Sequence, residues 1–123
     1  LTDEGLIVEV FDVPGAPLFG NDGAPTATLR DVVSAVAEVF RLAENEIAIQ
    51  GHIASFPLAA RSAPVWELSA ARAEIVRQLL VAEEIAEKRV QRVSGFADRK
   101  PVVADTLAER NNRMELILLR HKL

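Results

Sequence analysis

Glu46-Ile47-Ala48-Ile49-Gln50-Gly51-His52, the apolar-periodic run from Ser69 to Ala82, and Val90-Gln91-Arg92-Val93-Ser94-Gly95-Phe96 together decide the fold of this chain. The first and third segments are short and carry β-branched residues, which reads as two strands. In the middle segment Ala73, Val76, Leu80 and Glu83 lie down one side of a helix, and Ile75, Leu79 and Ala82 widen the apolar stripe. Ser69 is the expected N-cap of that helix. A break near Glu83 to Lys88 ends it, and Ser55 to Pro64, with two prolines and no clear period, is expected to be a loop. Strand, helix and strand in this order predict parallel pairing through a right-handed crossover.

Toward the N-terminus, Leu6-Ile7-Val8-Glu9-Val10-Phe11-Asp12 reads as a first strand ended by Pro14, Gly15 and Pro17. Residues 14–25 hold three Pro and three Gly around Leu18 and Phe19, so this loop is expected to plug two apolar side chains into the core. Thr28 with Asp31 three residues on makes a capping-box-like start. Leu29, Val32, Val33, Val36, Val39, Phe40 and Ala43 then recur at helical spacing over about four turns. Toward the C-terminus, a polar loop with Asp98, Arg99, Lys100, Pro101 and Asp105 leads to a last strand, Met114-Glu115-Leu116-Ile117-Leu118-Leu119. The order β-α-β-α-β-β predicts an α+β two-layer sandwich, a mixed four-stranded sheet with both helices packed on one face, spanning residues 1–123 as a single domain.

Composition narrows the function. The 123 residues are 50% hydrophobic and contain no Cys, which removes thiolate nucleophiles, zinc ribbons and disulfide frameworks together. Fourteen basic residues against 18 acidic ones give a net charge of -4, the wrong sign for counterion-release binding of phosphate backbones, so nucleic acid is not an expected partner. With 5% aromatic residues, no Tyr and one Trp, the chain also lacks the stacking platforms of single-strand binders. No apolar run approaches the roughly 18 residues that span a bilayer. The sequence opens at Leu1 and its one methionine is Met114, so it is expected to be a piece excised from something longer.

Catalytic and cofactor motifs give little. A zinc centre needs three or four ligands, and neither H-E-x-x-H nor H-x-E occurs around His52 or His121. No G-x-S-x-G elbow is present, and the Gly-rich stretch from Gly15 to Gly23 leads into neither a P-loop nor a dinucleotide fingerprint. His52 is read as a structural or ligand-rim residue rather than a catalytic base. Trp66 is read as a core plug beside the second helix rather than a sugar-stacking platform. No enzyme activity, metal or cofactor is expected.

Three pieces occur in register: Gly51-His52 after a strand, Trp66-Glu67-Leu68-Ser69-Ala70-Ala71-Arg72-Ala73 at a helix start, and Asn111-Asn112-Arg113-Met114-Glu115 entering the last strand. Together they resemble the OmpA-like peptidoglycan-binding domain. That family runs a Gly-His-Thr-Asp turn, a helix opening Leu-Ser-x-x-Arg-Ala and an Asn-Arg-Arg motif. The Trp-Glu-Leu-Ser stretch, with Pro17-Leu18-Phe19 and Gly23-Ala24, is most similar to members that anchor the bacterial flagellar stator to the cell wall.

The resemblance implies a non-catalytic cell-wall anchor in the periplasm whose ligand is the peptidoglycan stem peptide with its diaminopimelate. It further implies a homodimer, and a stator membrane subunit as partner through an N-terminal part outside this sequence. Outer-membrane or lipoprotein anchors, and an interaction or dimerisation domain that has lost peptidoglycan binding, are the alternatives. Diaminopimelate ends in an ammonium and a carboxylate, and a rigid guanidinium suits the second. By resemblance Arg72 is that clamp, exposed in the first helical turn; by its residue type alone it could equally pair with Glu67 or a loop carboxylate.

Asn111 and Arg113 fall on the first and last positions of the Asn-Arg-Arg motif, which implies bracing of the site first and ligand contact second. His52 and Ser55 complete the implied binding set. Two departures stand out. Ile53-Ala54 replaces Thr-Asp, so the carboxylate that would meet an ammonium is missing, and Val65 replaces an Asn. Asp98, Asp105 and Glu109 are the possible substitutes on the later loop.

Overall fold

Alternation of apolar and polar residues makes Gly5–Phe11 a strand, β1, and Ile47–His52, Val90–Gly95 and Arg113–Leu119 the strands β2, β3 and β4. Helix α1 spans Ala27–Phe40 and α2 spans Val65–Ala82, and a 3₁₀ turn at Glu87–Arg89 leads into β3. The computed structural model describes residues 4–20, 22–53, 65–97, 100 and 111–120. The stretch 55–64 expected to be a loop, most of the segment between β3 and β4, and with them Ser55, Ala54, Asp98, Asp105 and Glu109, lie outside the described residues. Among the described residues, no helix is long and apolar enough to cross a membrane.

The four strands form one mixed sheet in the order β1-β4-β2-β3. β4 pairs antiparallel with both β1 and β2, while β2 and β3 pair in parallel across the α2 crossover. This is the mixed sheet expected from the element order, with the last strand inserted between the first and second. Val8 and Val10 of β1, Ile47 and Ile49 of β2, Val93 of β3, and Met114, Leu116 and Leu118 of β4 fall on one face by register. They pack with Leu29, Val33, Val36, Ala37 and Phe40 of α1 and Ala73, Val76 and Leu80 of α2 in a single core.

The plug expected between residues 14 and 25 is present. Leu18 and Phe19 are buried in that core, and the loop is tied to α1 through Thr26. Thr26, not Thr28, caps α1: its Oγ1 accepts from the Leu29 N–H at 3.3 Å and its hydroxyl reaches the carbonyls of Pro17 and Leu18 at 2.8 and 3.0 Å. Tertiary contact with the plug selected the earlier threonine, because only Thr26 bonds the helix and the loop at once. The helix closes at Phe40, so Ala43 lies beyond it, and Val39 faces outward. Arg89 holds that end, donating from Nη1 to the Phe40 carbonyl and from Nε to the Asn45 carbonyl, both at 2.9 Å.

Helix α2 begins four residues before the expected cap, so Ser69 lies inside it, fully buried. Its hydroxyl donates to the Trp66 carbonyl at 3.0 Å and its oxygen accepts the Ala97 N–H at 3.0 Å, which fastens the helix to the segment after β3. Two glycines permit this approach. A Cβ on Gly95 would stand 2.5 Å from both Ala70 N and Ser69 Oγ, and one on Gly51 would strike the Ser69 carbonyl. Trp66 is half exposed rather than a core plug, because the upstream start of α2 leaves its first turn outside the packed face.

Candidate functional site

The topology gathers the C-terminal ends of β1, β2 and β3, the entry of β4 and the start of α2 at one edge of the sheet. In open α/β arrangements such an edge is where side chains on different elements converge on a ligand. All described residues implicated by the sequence lie there, but the sheet divides them into two groups.

Arg72 belongs to the helix side. It falls in the second turn of α2, not the first, and is half-buried rather than exposed. Its guanidinium carbon stands 4.8 Å from the centroid of the Phe19 ring, so the buried plug serves as its platform. Among the described residues Arg72 makes no ion pair, and its buried Nε has no hydrogen-bond partner. Burial lowers its pKa, while the nearby charge of Asp12 acts in the opposite direction. A partly desolvated cation without a bonded carboxylate is unfavourable for the free protein and favourable for capture of an anion. Glu67, the alternative partner raised by the sequence, is exposed and makes no such bond.

His52 and Arg113 belong to the opposite side. Gly51 faces α2 and Met114 faces the core, so by alternation His52, Arg113 and Glu115 point away from the helices. His52 is 2% exposed; its Nε2 is bonded to Glu115 Oε1 and its ring stacks on Phe96 with centroids 5.1 Å apart. The ammonium of Lys100 lies 4.3 Å from the centre of the other aromatic ring of that stack, Phe96. Gln50, with its amide oriented to satisfy both neighbours, donates to Glu115 at 3.2 Å and accepts from Arg92 at 3.1 Å.

Arg113, directly opposite both Phe11 and His52 in the ladder, is 5% exposed. It donates from Nη2 to the Lys100 carbonyl at 2.7 Å, and its Nε lies 4.0 Å from Glu9 Oε2. Asn111 is buried beside it. Arg113 therefore ties the entry of β4 to the Lys100 carbonyl, on the side of the sheet away from Arg72. The edge is further tightened by Ala97, whose φ of 51° is unusual for a residue with a side chain. Its N–H is held by Ser69 and its carbonyl by the Ile53 N–H at 2.8 Å, so the strained turn is fixed from both sides. Among the described residues no three His, Asp or Glu side chains converge as a metal-binding set.

The bond from His52, more than the partial burial that opposes it, holds the Glu115 pKa below the usual carboxylate range, with Arg113 and Lys100 adding to the effect. A carboxylate depressed on folding contributes stability that is present above its unfolded pKa and lost as pH falls through its folded value. The unfolding midpoint is therefore expected to drop as the pH is taken below about 4.5. Glu115→Gln, which keeps an acceptor for His52, is expected to cost about 1 kcal/mol at neutral pH and to flatten that acid branch. Thermal melts across pH 2.5 to 7, on the order of ten points, test this through the slope.

The fold and this edge define an OmpA-type domain, and the chain belongs to the OmpA family, whose model matches residues 22–115. Within it, the chain is 33% identical over 128 aligned positions to Motility protein B of Escherichia coli K12, covering 97% of this chain and 40% of that protein. The fold is shared with the periplasmic domain of Helicobacter pylori MotB, at a TM-score of 0.80 and 19% identity over 99% of this chain and 80% of that one. It is also shared with the cell wall anchor of the type VI secretion system of Pseudomonas aeruginosa, at a TM-score of 0.73 and 26% identity over 94% of this chain and 81% of that one. The peptidoglycan-associated lipoprotein of Burkholderia pseudomallei gives a TM-score of 0.66 at 18% identity, over 89% of this chain and 87% of that one. The chain thus spans well under half the length of the motility protein it matches.

Proposed function

We propose that this chain is a non-catalytic peptidoglycan-binding module that anchors a flagellar stator subunit of the motility protein B type in the periplasm. The observation that carries the reading is Arg72, a half-buried guanidinium with no bonded carboxylate among the described residues, seated on Phe19 in a domain of the OmpA family. Its ligand is the stem peptide of peptidoglycan, whose diaminopimelate carboxylate accepts the guanidinium fork. The 33% identity to a motility protein favours the stator role over the secretion-system and lipoprotein anchors that share the fold. In this reading the chain is one part of a longer membrane-anchored protein, works as a homodimer, and meets a membrane stator subunit through segments preceding this domain. Asn111, Arg113 and His52 serve the site by holding its strand ends, and Ser55 is the remaining member of the binding set.

Co-sedimentation with purified diaminopimelate-type sacculi tests the proposal. The protein is expected to pellet saturably, to be released by soluble stem peptide, and to bind less as salt is raised, since the contact is between charges. Protein that stays in the supernatant at every sacculus concentration overturns it and leaves the interaction-domain alternative standing.

A further inference from the structure

Ala97 holds a φ of 51°, a conformation that persists in a residue with a side chain only where the surroundings over-determine it. Here it is gripped from two sides. On the side of α2, Ser69 Oγ accepts its N–H at 3.0 Å. On the side of β2, the Ile53 N–H donates to its carbonyl at 2.8 Å, and the preceding residue, Phe96, donates its own N–H to the Gly51 carbonyl at 2.9 Å. The Phe96 ring also stacks on His52, 9° from parallel, so the end of β2 holds this turn through side chain and backbone together.

Glu115 orients the histidine. The imidazole is 2% exposed, its Nδ1 has no hydrogen-bond partner among the described residues, and its Nε2 is bonded to Glu115 Oε1. A buried ring with a single polar anchor loses its fixed orientation when that anchor is removed. Glu115 lies in β4 and points away from the helices, hence away from Arg72. It is nevertheless joined to that side by an unbroken run of contacts. Glu115 bonds His52, His52 stacks on Phe96, Phe96 leads into Ala97, and Ala97 bonds Ser69, which stands one turn before Arg72 on α2.

We propose that Glu115 is a positioning residue for the arginine site, acting through His52 and the strained Ala97 turn to hold the start of α2, and with it Arg72, in place for the ligand. The assignment rests on the peptidoglycan reading of Arg72 and deepens it, since the site is then set from the far face of the sheet by a pair that touches no ligand. Strain makes the turn responsive: gripped from both sides it keeps its positive φ, and with the β2 grip loosened it relaxes toward the ordinary region.

Glu115→Ala and Glu115→Gln test it, each titrated by calorimetry with a soluble stem tripeptide ending in meso-diaminopimelate, well below the thermal midpoints so that the protein is folded. Glu115→Ala is expected to weaken binding by about fivefold, whereas Glu115→Gln, whose amide oxygen still accepts from the imidazole, keeps most of the native affinity. Amide exchange in the free proteins is expected to quicken at Ile53 and Ala97 in Glu115→Ala and to stay native in α1. Phe96→Leu, which removes the stack and keeps an apolar side chain, supplies the same comparison should Glu115→Ala fold poorly. A residue that served stability alone would lower the midpoint and leave the affinity of the folded protein unchanged. That result, or native exchange at Ala97, overturns the role of Glu115 and leaves Arg72 in the site. A native protein that binds neither this peptide nor sacculi overturns the peptidoglycan reading and this assignment with it.

Discussion

Arg72→Met is expected to lower affinity for sacculi by about ten- to a hundredfold while leaving the thermal midpoint unchanged or slightly raised. The direction follows from what the guanidinium touches. It lies over the Phe19 ring and has no carboxylate bonded to it among the described residues, so in the free protein its burial is only partly compensated. Methionine keeps an apolar stem and a polarisable sulfur over the same ring, so packing survives when the charge is removed. Arg72→Ala behaves differently: it uncovers Phe19 and is expected to cost about 0.5 to 1 kcal/mol besides losing binding. Arg72→Lys is expected to restore little, because a single ammonium cannot make the paired bonds of the fork. Co-sedimentation and thermal melts on the three variants separate these outcomes. Undiminished binding by Arg72→Met would remove this residue from the site, and a large fall in its midpoint would mean that the charge is a structural partner.

The second large effect concerns stability. Gly95→Ala is expected to destabilise the domain by about 2 to 5 kcal/mol, the sum of overpacking and a lost buried hydrogen bond. The added carbon would stand 2.5 Å from the Ala70 nitrogen and from Ser69 Oγ, and the latter atom accepts the Ala97 N–H. Backbone on one side and a committed hydroxyl on the other leave nothing flexible to yield. Displacing α2 would also shift Arg72, so binding should fall with stability. Gly15→Ala is the control: no atom lies within 4 Å of its Cβ, and its positive φ limits the cost to about 1 kcal/mol. Denaturant melts on both variants give the comparison, and equal losses would show that close packing of α2 is not the constraint at residue 95.

The element types were legible because their signals are local. Val8 and Val10, or Ile47 and Ile49, alternate with residues of the other face whatever strand they later pair with, and Ala73, Val76 and Leu80 mark a helical stripe without reference to a partner. The same holds for Leu18 and Phe19, two apolar residues in a Pro- and Gly-rich stretch that have no stable place except the core. Helix starts were less secure. Thr28 and Ser69 both have cap chemistry, yet Thr26 is chosen by its bonds to the plug, and Ser69 is drawn into α2 by the bond it makes to Ala97. Motif register pointed to Arg72 and Arg113 together, but their spacing along the chain carried no information about the sheet that separates them.

By itself the sequence determined the order and kind of the elements, the buried plug, the absence of thiol chemistry and the family-type motifs at the ends of β2, α2 and β4, since each depends on neighbours within a few residues. Only the tertiary structure decided that β4 lies between β1 and β2, because strand pairing joins residues about a hundred positions apart in the chain and is settled by which faces bury together. The same long-range packing seats Arg72 on Phe19, about fifty positions earlier in the sequence. Charge and burial become properties of a site only when the core fixes the distance between residues, and that distance is set by the fold as a whole.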